Sequence, residues 1–288
     1  MFEKLKEKLF SRNPKLPIFI NSWNNRVIAR KDEVFDAELL ERAARMGKKF
    51  QNAPVAVSTS FIVEDMEKVL KKNPKIYGFI TENLKFLDDL LDYVGRVKIP
   101  EQIISEISLI KENYSYNYHH IIAVTALSTR IARDFFLDDD KILEVAESCL
   151  LYDIGIGHVP AHIINKIGKL SDKEREIINF HPVYSALLLA HYYCDHNHPL
   201  IDTILKHHEN LDGSGFPLKV ANNNINSHIL KISDTFDALI SARPFRKFYS
   251  PKEAFKICED LINAGKIAPD ILPIIYSYYL FIDQYPED

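Results

Sequence analysis

The stretch after Pro100 constrains the fold of this chain most, because it repeats apolar residues at helical spacing and shows no alternating strand pattern. Clusters of Pro, Gly, Asn and Asp separate most of the apolar runs, as is typical of loops between helices. The pattern predicts an irregular, mainly α-helical domain over residues 101–288. Its helices are expected at about 101–136, 138–152, 172–193, 199–209, 227–241, 251–264 and 268–283.

The preceding residues, 1–100, predict a small α+β domain. Two β-prone runs, 16–23 and 26–30, flank Asn24-Asn25, and Asn tolerates the positive φ that a tight hairpin requires. This hairpin is the single predicted sheet. Helices are expected over 37–49, with Asp36 as the N-cap, and over 62–72 and 74–94. The segment carries none of the candidate metal ligands, so a regulatory or sensing role is expected for it.

Bulk composition excludes several classes of protein. The net charge is -4 with a pI near 6.3, and the helical domain has no long basic block, so a polymeric nucleic acid is not an expected partner. Three widely separated cysteines without a Cys-x-x-Cys pair predict buried thiols in a reducing cytosol. No apolar run approaches the roughly 18 to 20 residues that span a bilayer, which predicts a cytoplasmic protein without a transmembrane segment.

Several Asp and His residues lie within the apolar stretches of the predicted helices. His207-His208 closes one helix just before a Gly-rich turn, whose backbone can approach a ligand closely. His181 precedes a Pro, while Asp153 and Asp234 lie in apolar runs. A buried carboxylate is costly without a partner, and a cation supplies the compensating charge. One such histidine alone fits a core position better, but the set predicts a metal site, with ligands that suit Fe, Mn or Zn.

Several of these residues belong to short motifs that follow one another along the chain. In order, they are His120 with Val124, Asp153-Ile154-Gly155, His181-Pro182, His207-His208-Glu209, Asp212-Gly213-Ser214-Gly215-Phe216-Pro217, Asp234 with Asp237-Ala238-Leu239, and Arg243-Pro244-Phe245-Arg246. Their order and spacing resemble those of HD-GYP domains over roughly residues 101–280. The resemblance implies a helical HD-superfamily fold, a binuclear or larger non-haem iron or manganese centre, and hydrolysis of the bacterial messenger cyclic di-GMP.

The same resemblance implies a role for each candidate residue. The implied metal ligands are His120 and Asp234 at the first ion, Asp153 as the bridge, and His181, His207 and His208 at the second ion. The implied substrate contacts are Asp212, Gly215, Arg243 and Arg246. The implied cofactor is one or two divalent ions. The implied mechanism is two-metal phosphodiester hydrolysis, in which a metal-bound hydroxide would attack phosphorus, so no side-chain nucleophile is required and Asp153 is the residue assigned to catalysis.

Three positions depart from the family pattern. Tyr152 replaces the His of the family name, Ile156 replaces a Lys, and Phe216 replaces the Tyr of Gly-Tyr-Pro. Tyr is a weak ligand near neutral pH, because its pKa is about 10. Two interpretations stay open: a phosphodiesterase of reduced activity, and a silent protein that binds a cyclic dinucleotide or acts as a scaffold for other signalling proteins. A hydrolase of ordinary nucleotides is disfavoured by the motifs at 212–217 and 243–246.

Overall fold

The computed structural model describes residues 14–50, 55–241 and 249–283, and most of them are helical. The prediction of a mainly α fold with a small α+β segment at its start is confirmed. The α-helices of the described ranges are α1 Ala37–Phe50, α2 Ser60–Lys72, α3 Pro74–Thr81, α4 Leu84–Arg96, α5 Glu101–Asn113, α6 Ser115–Phe135, α7 Asp139–Leu151, α8 Ala161–Ile164, α9 Asp172–Asn179, α10 His181–Tyr192, α11 Pro199–Lys206, α12 Ile225–Ile240, α13 Pro251–Asn263 and α14 Leu272–Asp283. Two 3-10 helices span Ile154–His158 and Pro269–Ile271.

The predicted hairpin is present near the start of the described chain. Strands β1 (Ile20–Asn21) and β2 (Val27–Ala29) pair antiparallel. Asn25 has a φ of 62°, the left-handed conformation that the Asn pair predicted. The prediction of a single sheet is wrong, because β3 (Ala56–Ser58) and β4 (Lys98–Pro100) form a second two-stranded sheet. Each of these strands has three residues, too few for an alternating pattern to emerge.

The helix predicted over 74–94 is two helices, α3 and α4. Asn83 caps the second one, because its Oδ1 accepts hydrogen bonds from Lys85 N at 3.1 Å and Phe86 N at 3.4 Å. The N-cap predicted for α1 is confirmed by the 2.8 Å hydrogen bond from Leu39 N to Asp36 Oδ1.

Two further long helices predicted beyond residue 100 are also interrupted. Tyr114, with φ −138° and ψ 60°, separates α5 from α6. Phe180 ends α9, and α10 begins at once with Pro182 in its first turn, where the missing N–H of proline leaves no helical bond unmade. The short helical turns at 154–158 and 161–164 were not predicted.

By compactness the chain forms two units that interleave in sequence. The first unit comprises the described residues of Met1–Val57, Ile99–Ser115 and Leu151–Asn224. The second comprises those of Ser58–Lys98, Tyr116–Leu150 and Ile225–Asp288. Each unit draws residues from both sides of position 100, and the domain boundary expected there stays a prediction.

Helix α10 lies at the centre of the first unit's core. Every residue from His181 to Tyr192 is buried, as is typical of a helix that is apolar on all sides. It packs on α1, on α11 and on the 3-10 helix Ile154–His158. The first residue of this buried helix is therefore fixed in place by packing along its length.

Helix α6 has the corresponding place in the second unit, where residues 120–132 are all buried. Side-chain hydrogen bonds fix it to neighbouring helices. Tyr118 Oη donates to Asp65 Oδ2 on α2 at 2.7 Å, and Arg133 Nη2 donates to Asp89 Oδ2 on α4 at 2.6 Å. Helices α12, α13 and α14 pack in succession in the same unit.

The three cysteines are all free thiols. Cys149 and Cys258 are buried, as predicted, and burial raises the pKa of each thiol to about 12. Cys194 is only half-buried, against the prediction, because it lies just beyond the last residue of α10. Of the helices in the described ranges, none combines the length and apolarity needed to cross a bilayer.

Candidate metal centre

Three histidines of the first unit lie together as the sequence predicted. His181 is the first residue of α10, and His207 and His208 directly follow the last residue of α11. One ring nitrogen from each lies within 4.8 Å of the others. His181 and His207 are buried, and His208 is half-buried. The cluster is thus made by two helix ends.

The hydrogen bonds of His181 and His207 fix which ring nitrogen carries the proton. His181 Nδ1 lies 2.8 Å from the carbonyl oxygen of Ile178, and His207 Nδ1 lies 2.6 Å from that of Ile204. A carbonyl oxygen only accepts, so each neutral ring has its hydrogen on Nδ1. The two Nε2 atoms lie 3.0 Å apart. In the neutral rings both would present lone pairs to the same point, as two ligands of one cation do, and the backbone carbonyls orient the rings as outer partners of metal ligands do.

Asp153 adds a carboxylate to this group. Its Oδ1 lies 3.2 Å from His181 Nε2, and the residue is 6% exposed. In sequence, Asp153 lies between the end of α7 and the 3-10 helix Ile154–His158. Ser185 of α10 holds this turn, because its Oγ donates to the carbonyl oxygen of Tyr152 at 2.7 Å and accepts from Gly155 N at 2.9 Å. A Cβ on Gly155 would come within 2.5 Å of the His181 carbonyl oxygen, so only glycine allows this turn to lie against α10.

The second unit holds the other two predicted ligands. His120 Nε2 lies 2.9 Å from Asp234 Oδ1, which joins α6 to α12. His120 Nδ1 lies 2.5 Å from Asp237 Oδ2. Burial alone would lower the pKa of His120, but its hydrogen bonds to these two carboxylates outweigh that effect and hold the pKa well above its usual value.

Asp237 is a site residue that the sequence did not assign. It is fully buried and also accepts hydrogen bonds from Tyr77 Oη and, at 3.1 Å, from Ser241 Oγ. A carboxylate on Nδ1 would leave Nε2 of His120 to ligate a metal, the arrangement typical of a metal-bound histidine. The signal was its position three residues after Asp234 on one helix, which places both carboxylates on the same face.

The structure thus brings four of the six predicted ligands together in the first unit and two in the second. Imidazole nitrogens and carboxylate oxygens fit a divalent transition metal. That the two groups form one binuclear centre stays a prediction.

Two of the three departures from the family pattern contact the first group. The Tyr152 ring is 1% exposed and packs edge to face on His207, with centroids 5.1 Å apart and planes at 87°. Phe216 stacks on His208 with centroids 4.5 Å apart and planes at 23°. The ring that replaces the family Tyr therefore packs against a predicted ligand. Ile156 is buried.

The predicted substrate contacts lie in the loop after α11 and beyond α12. Asp212 is exposed, and its Oδ1 accepts from Ser214 N at 3.0 Å. A Cβ on Gly215 would lie 2.4 Å from the carbonyl oxygen of His208, so this glycine lets the loop return close to the histidines. Arg243 and Arg246 lie outside the described residues.

Glu209 has a structural role in the same loop. The residue is fully buried, and its carboxylate accepts from the backbone N–H groups of Leu218 at 2.6 Å, Lys219 at 2.9 Å and Val220 at 3.3 Å. These bonds close the loop that follows the histidine pair.

A profile of the HD domain matches residues 98–271, more than half of the 288-residue chain. The chain belongs to the HD domain family. Residues 98–271 include all six predicted ligands and all three departures from the motif, Tyr152, Ile156 and Phe216. This member of the family therefore has Tyr152 at the position of the His for which the family is named.

Three relatives are informative. A cyclic di-GMP phosphodiesterase of Pseudomonas aeruginosa, PA4108, is 35% identical over 173 residues, covering 58% of this chain and 41% of the relative. A cyclic di-GMP phosphodiesterase of Thermotoga maritima is 30% identical over 179 residues, covering 59% and 47%. The 3'3'-cGAMP-specific phosphodiesterase 1 of Vibrio cholerae is 28% identical over 188 residues, covering 63% and 43%. The match spans less than half of each relative. Together with the HD profile, it confirms the predicted HD-GYP-type domain.

Proposed function

We propose that this protein is a metal-dependent phosphodiesterase that hydrolyses cyclic di-GMP with reduced activity. The observation that carries the proposal is the convergence of the Nε2 atoms of His181 and His207, 3.0 Å apart, with the Asp153 carboxylate 3.2 Å from His181 Nε2. Two imidazoles and a carboxylate held this close by backbone hydrogen bonds are organised to ligate a cation.

When bound, divalent metals supply charge stabilisation for the phosphodiester and activate water near neutral pH. The chain's own residues hold that chemistry in place. The carbonyl oxygens of Ile178 and Ile204 fix the two imidazoles, and Asp153 brings its carboxylate to His181. No side chain of the protein is assigned as a nucleophile.

The choice of substrate is supported by two relatives that act on cyclic di-GMP, while a third acts on 3'3'-cGAMP. The proposed substrate contacts are Asp212, Gly215, Arg243 and Arg246. We assign one or two ions of iron or manganese, since mixed imidazole and carboxylate ligands suit both metals. A cytoplasmic location, where such messengers act, is part of the same proposal.

Reduced activity is proposed because of two substitutions. Tyr152 offers a phenol in place of an imidazole, and its ring packs on His207 in a buried position. Ile156 removes a cation that would face phosphate charge, and losses of this kind cost about 3 to 4 kcal/mol in comparable sites. The same residues favour the second candidate function, a silent protein that binds the dinucleotide or other signalling proteins.

Metal analysis followed by a product assay separates the two candidates. The purified chain is loaded with Mn²⁺ or Fe²⁺ under anaerobic conditions, its metal content is measured by mass spectrometry, and it is incubated with cyclic di-GMP, 3'3'-cGAMP or cyclic di-AMP. We expect metal binding and formation of the linear dinucleotide or GMP from cyclic di-GMP. Absence of product at full metal loading would leave the silent binding protein.

A further inference from the structure

A cavity of about 620 Å³ lies in the second unit, beside His120. Its size lies within the range of sites that hold small-molecule ligands, about 300 to 1,000 Å³. Tyr77, Tyr116, His119 and His120 line one side. The cavity therefore opens directly beside one of the proposed metal ligands.

One face of α2 forms another wall of this cavity. Lys68 and Lys72, one helical turn apart, line it together with Val69. Met66 and Leu70 are buried on another face of the same helix. Burial of the apolar face thus fixes which way the two lysines project.

The charges that line the cavity favour an anion. Among its described lining residues, Asp237 is the one carboxylate, and its oxygens already accept from His120, Tyr77 and Ser241. Lys68 and Lys72 are both exposed and line the same cavity as these aromatic and polar side chains. Lys68 lies 3.9 Å from Asp65, a contact at the limit of an ion pair.

Aromatic rings beside the ammonium groups suit a nucleobase. Tyr116 stacks on His120 with ring centroids 6.1 Å apart and planes at 15°. Every base presents a π-face, and stacking on protein rings is a common mode of nucleotide binding. Phosphate and base contacts are therefore both available in one cavity.

We propose that Lys68 and Lys72 bind a phosphate of the cyclic dinucleotide in the cavity beside His120. This inference rests on the proposed function and adds to it a segment that precedes the HD match at residues 98–271. It gives Lys68 and Lys72 of α2 a direct role in ligand binding.

The chain offers a matched control on the same helix. Lys71 lies in the last turn of α2 beside Lys72, but it does not line the cavity and forms an ion pair with Glu67 at 2.5 Å. Loss of either charge, at Lys71 or at Lys72, therefore has a similar effect on the C-terminal end of the helix dipole. The test compares Lys68→Gln/Lys72→Gln with Lys71→Gln and with the charge-preserving Lys68→Arg/Lys72→Arg.

Binding of a phosphorothioate analogue of cyclic di-GMP to the metal-loaded full chain is measured by calorimetry, separately from hydrolysis of cyclic di-GMP. We expect the double Gln variant to raise Kd about tenfold, as two charge-assisted phosphate contacts allow. Lys71→Gln and the double Arg variant should stay within about threefold of wild type, with unchanged metal content in all.

Equal Kd values for the double Gln variant and wild type would overturn the inference, as would an equal loss in Lys71→Gln or no binding by wild type. Binding that depends on Lys68 and Lys72 without hydrolysis would uphold the inference and contradict the phosphodiesterase. Hydrolysis of cyclic di-GMP with no dependence on these lysines would uphold the phosphodiesterase and contradict the inference.

Discussion

The two groups of candidate ligands orient their imidazoles by different means. In the first unit, main-chain carbonyls one helical turn before His181 and His207 hold the rings, so the orientation is built into the helix ends. In the second unit, the Asp237 carboxylate, 117 residues away in sequence, holds His120. The first group therefore depends on local backbone, whereas a single side-chain change can disorient the second.

Removal of an imidazole from the first unit gives the largest expected effect on metal binding. His207→Ala deletes one of the two facing nitrogens, so we expect the Kd for Mn²⁺ to rise about 100-fold or more, with hydrolysis falling in parallel. Competition with a chromophoric chelator measures the affinity. His162→Ala, at an exposed histidine of α8, is the control. Equal affinities of the two variants would contradict the prediction.

The dependence of the second unit on one carboxylate is tested by Asp237→Asn. The amide keeps the shape but loses the charge that holds His120 Nδ1, and we expect metal affinity at this group to fall about 10- to 100-fold. The same titration measures it, beside Asp260→Asn on the surface of α13 as the control. Tyr77→Phe removes only one bond to Asp237, so it should have a smaller effect. If Asp237→Asn binds as wild type does, the carboxylate is not needed for orientation.

Restoring the family imidazole should raise metal content. Tyr152→His places one more imidazole beside Asp153, His181, His207 and His208. We therefore expect bound metal per chain to increase by up to one ion, with faster hydrolysis of cyclic di-GMP. Mass spectrometry of the purified variant gives the stoichiometry, and Tyr152→Phe, which keeps the ring, is the comparison. An unchanged metal content would mean that position 152 does not limit the site.

The smallest expected effect on metal binding comes from the loop that follows the histidine pair. Glu209→Gln replaces a buried carboxylate that accepts three backbone N–H groups, so we expect the free energy of unfolding to drop by about 2 kcal/mol. Metal affinity should stay within roughly threefold. Urea denaturation measures the first quantity, with exposed Glu112→Gln as control. A large loss of metal without loss of stability would assign Glu209 to the site instead.

Local signals in the sequence predicted much of the fold. The hairpin at Asn24-Asn25 and the cap at Asp36 depend on neighbouring residues alone, and both were predictable. The break before Pro182 and the cap at Asn83 carried signals of the same kind that continuous apolar spacing obscured.

The site was predictable only in part, because its geometry is tertiary. The spacing of His181, His207 and His208 indicated ligands, and the structure brings these three together. The spacing of Asp237 from Asp234 places both on one helix face, but it does not identify His120 or Tyr77 as the partners, since those contacts join residues 117 and 160 positions apart. The lysines of α2 lie in a segment whose sequence pattern indicates only an amphipathic helix.

The segment that matches the HD family does not contain all the side chains that hold it in place. The HD match begins at residue 98, yet Tyr77, Asp65 and Asp89 before it hold Asp237, Tyr118 and Arg133 after it. A fragment cut at the start of the match would leave those partners facing water where side chains now pack. A fusion protein made by joining at residue 98 would therefore contain the motifs but not the side chains that hold them in place. A functional fragment has to begin before α2.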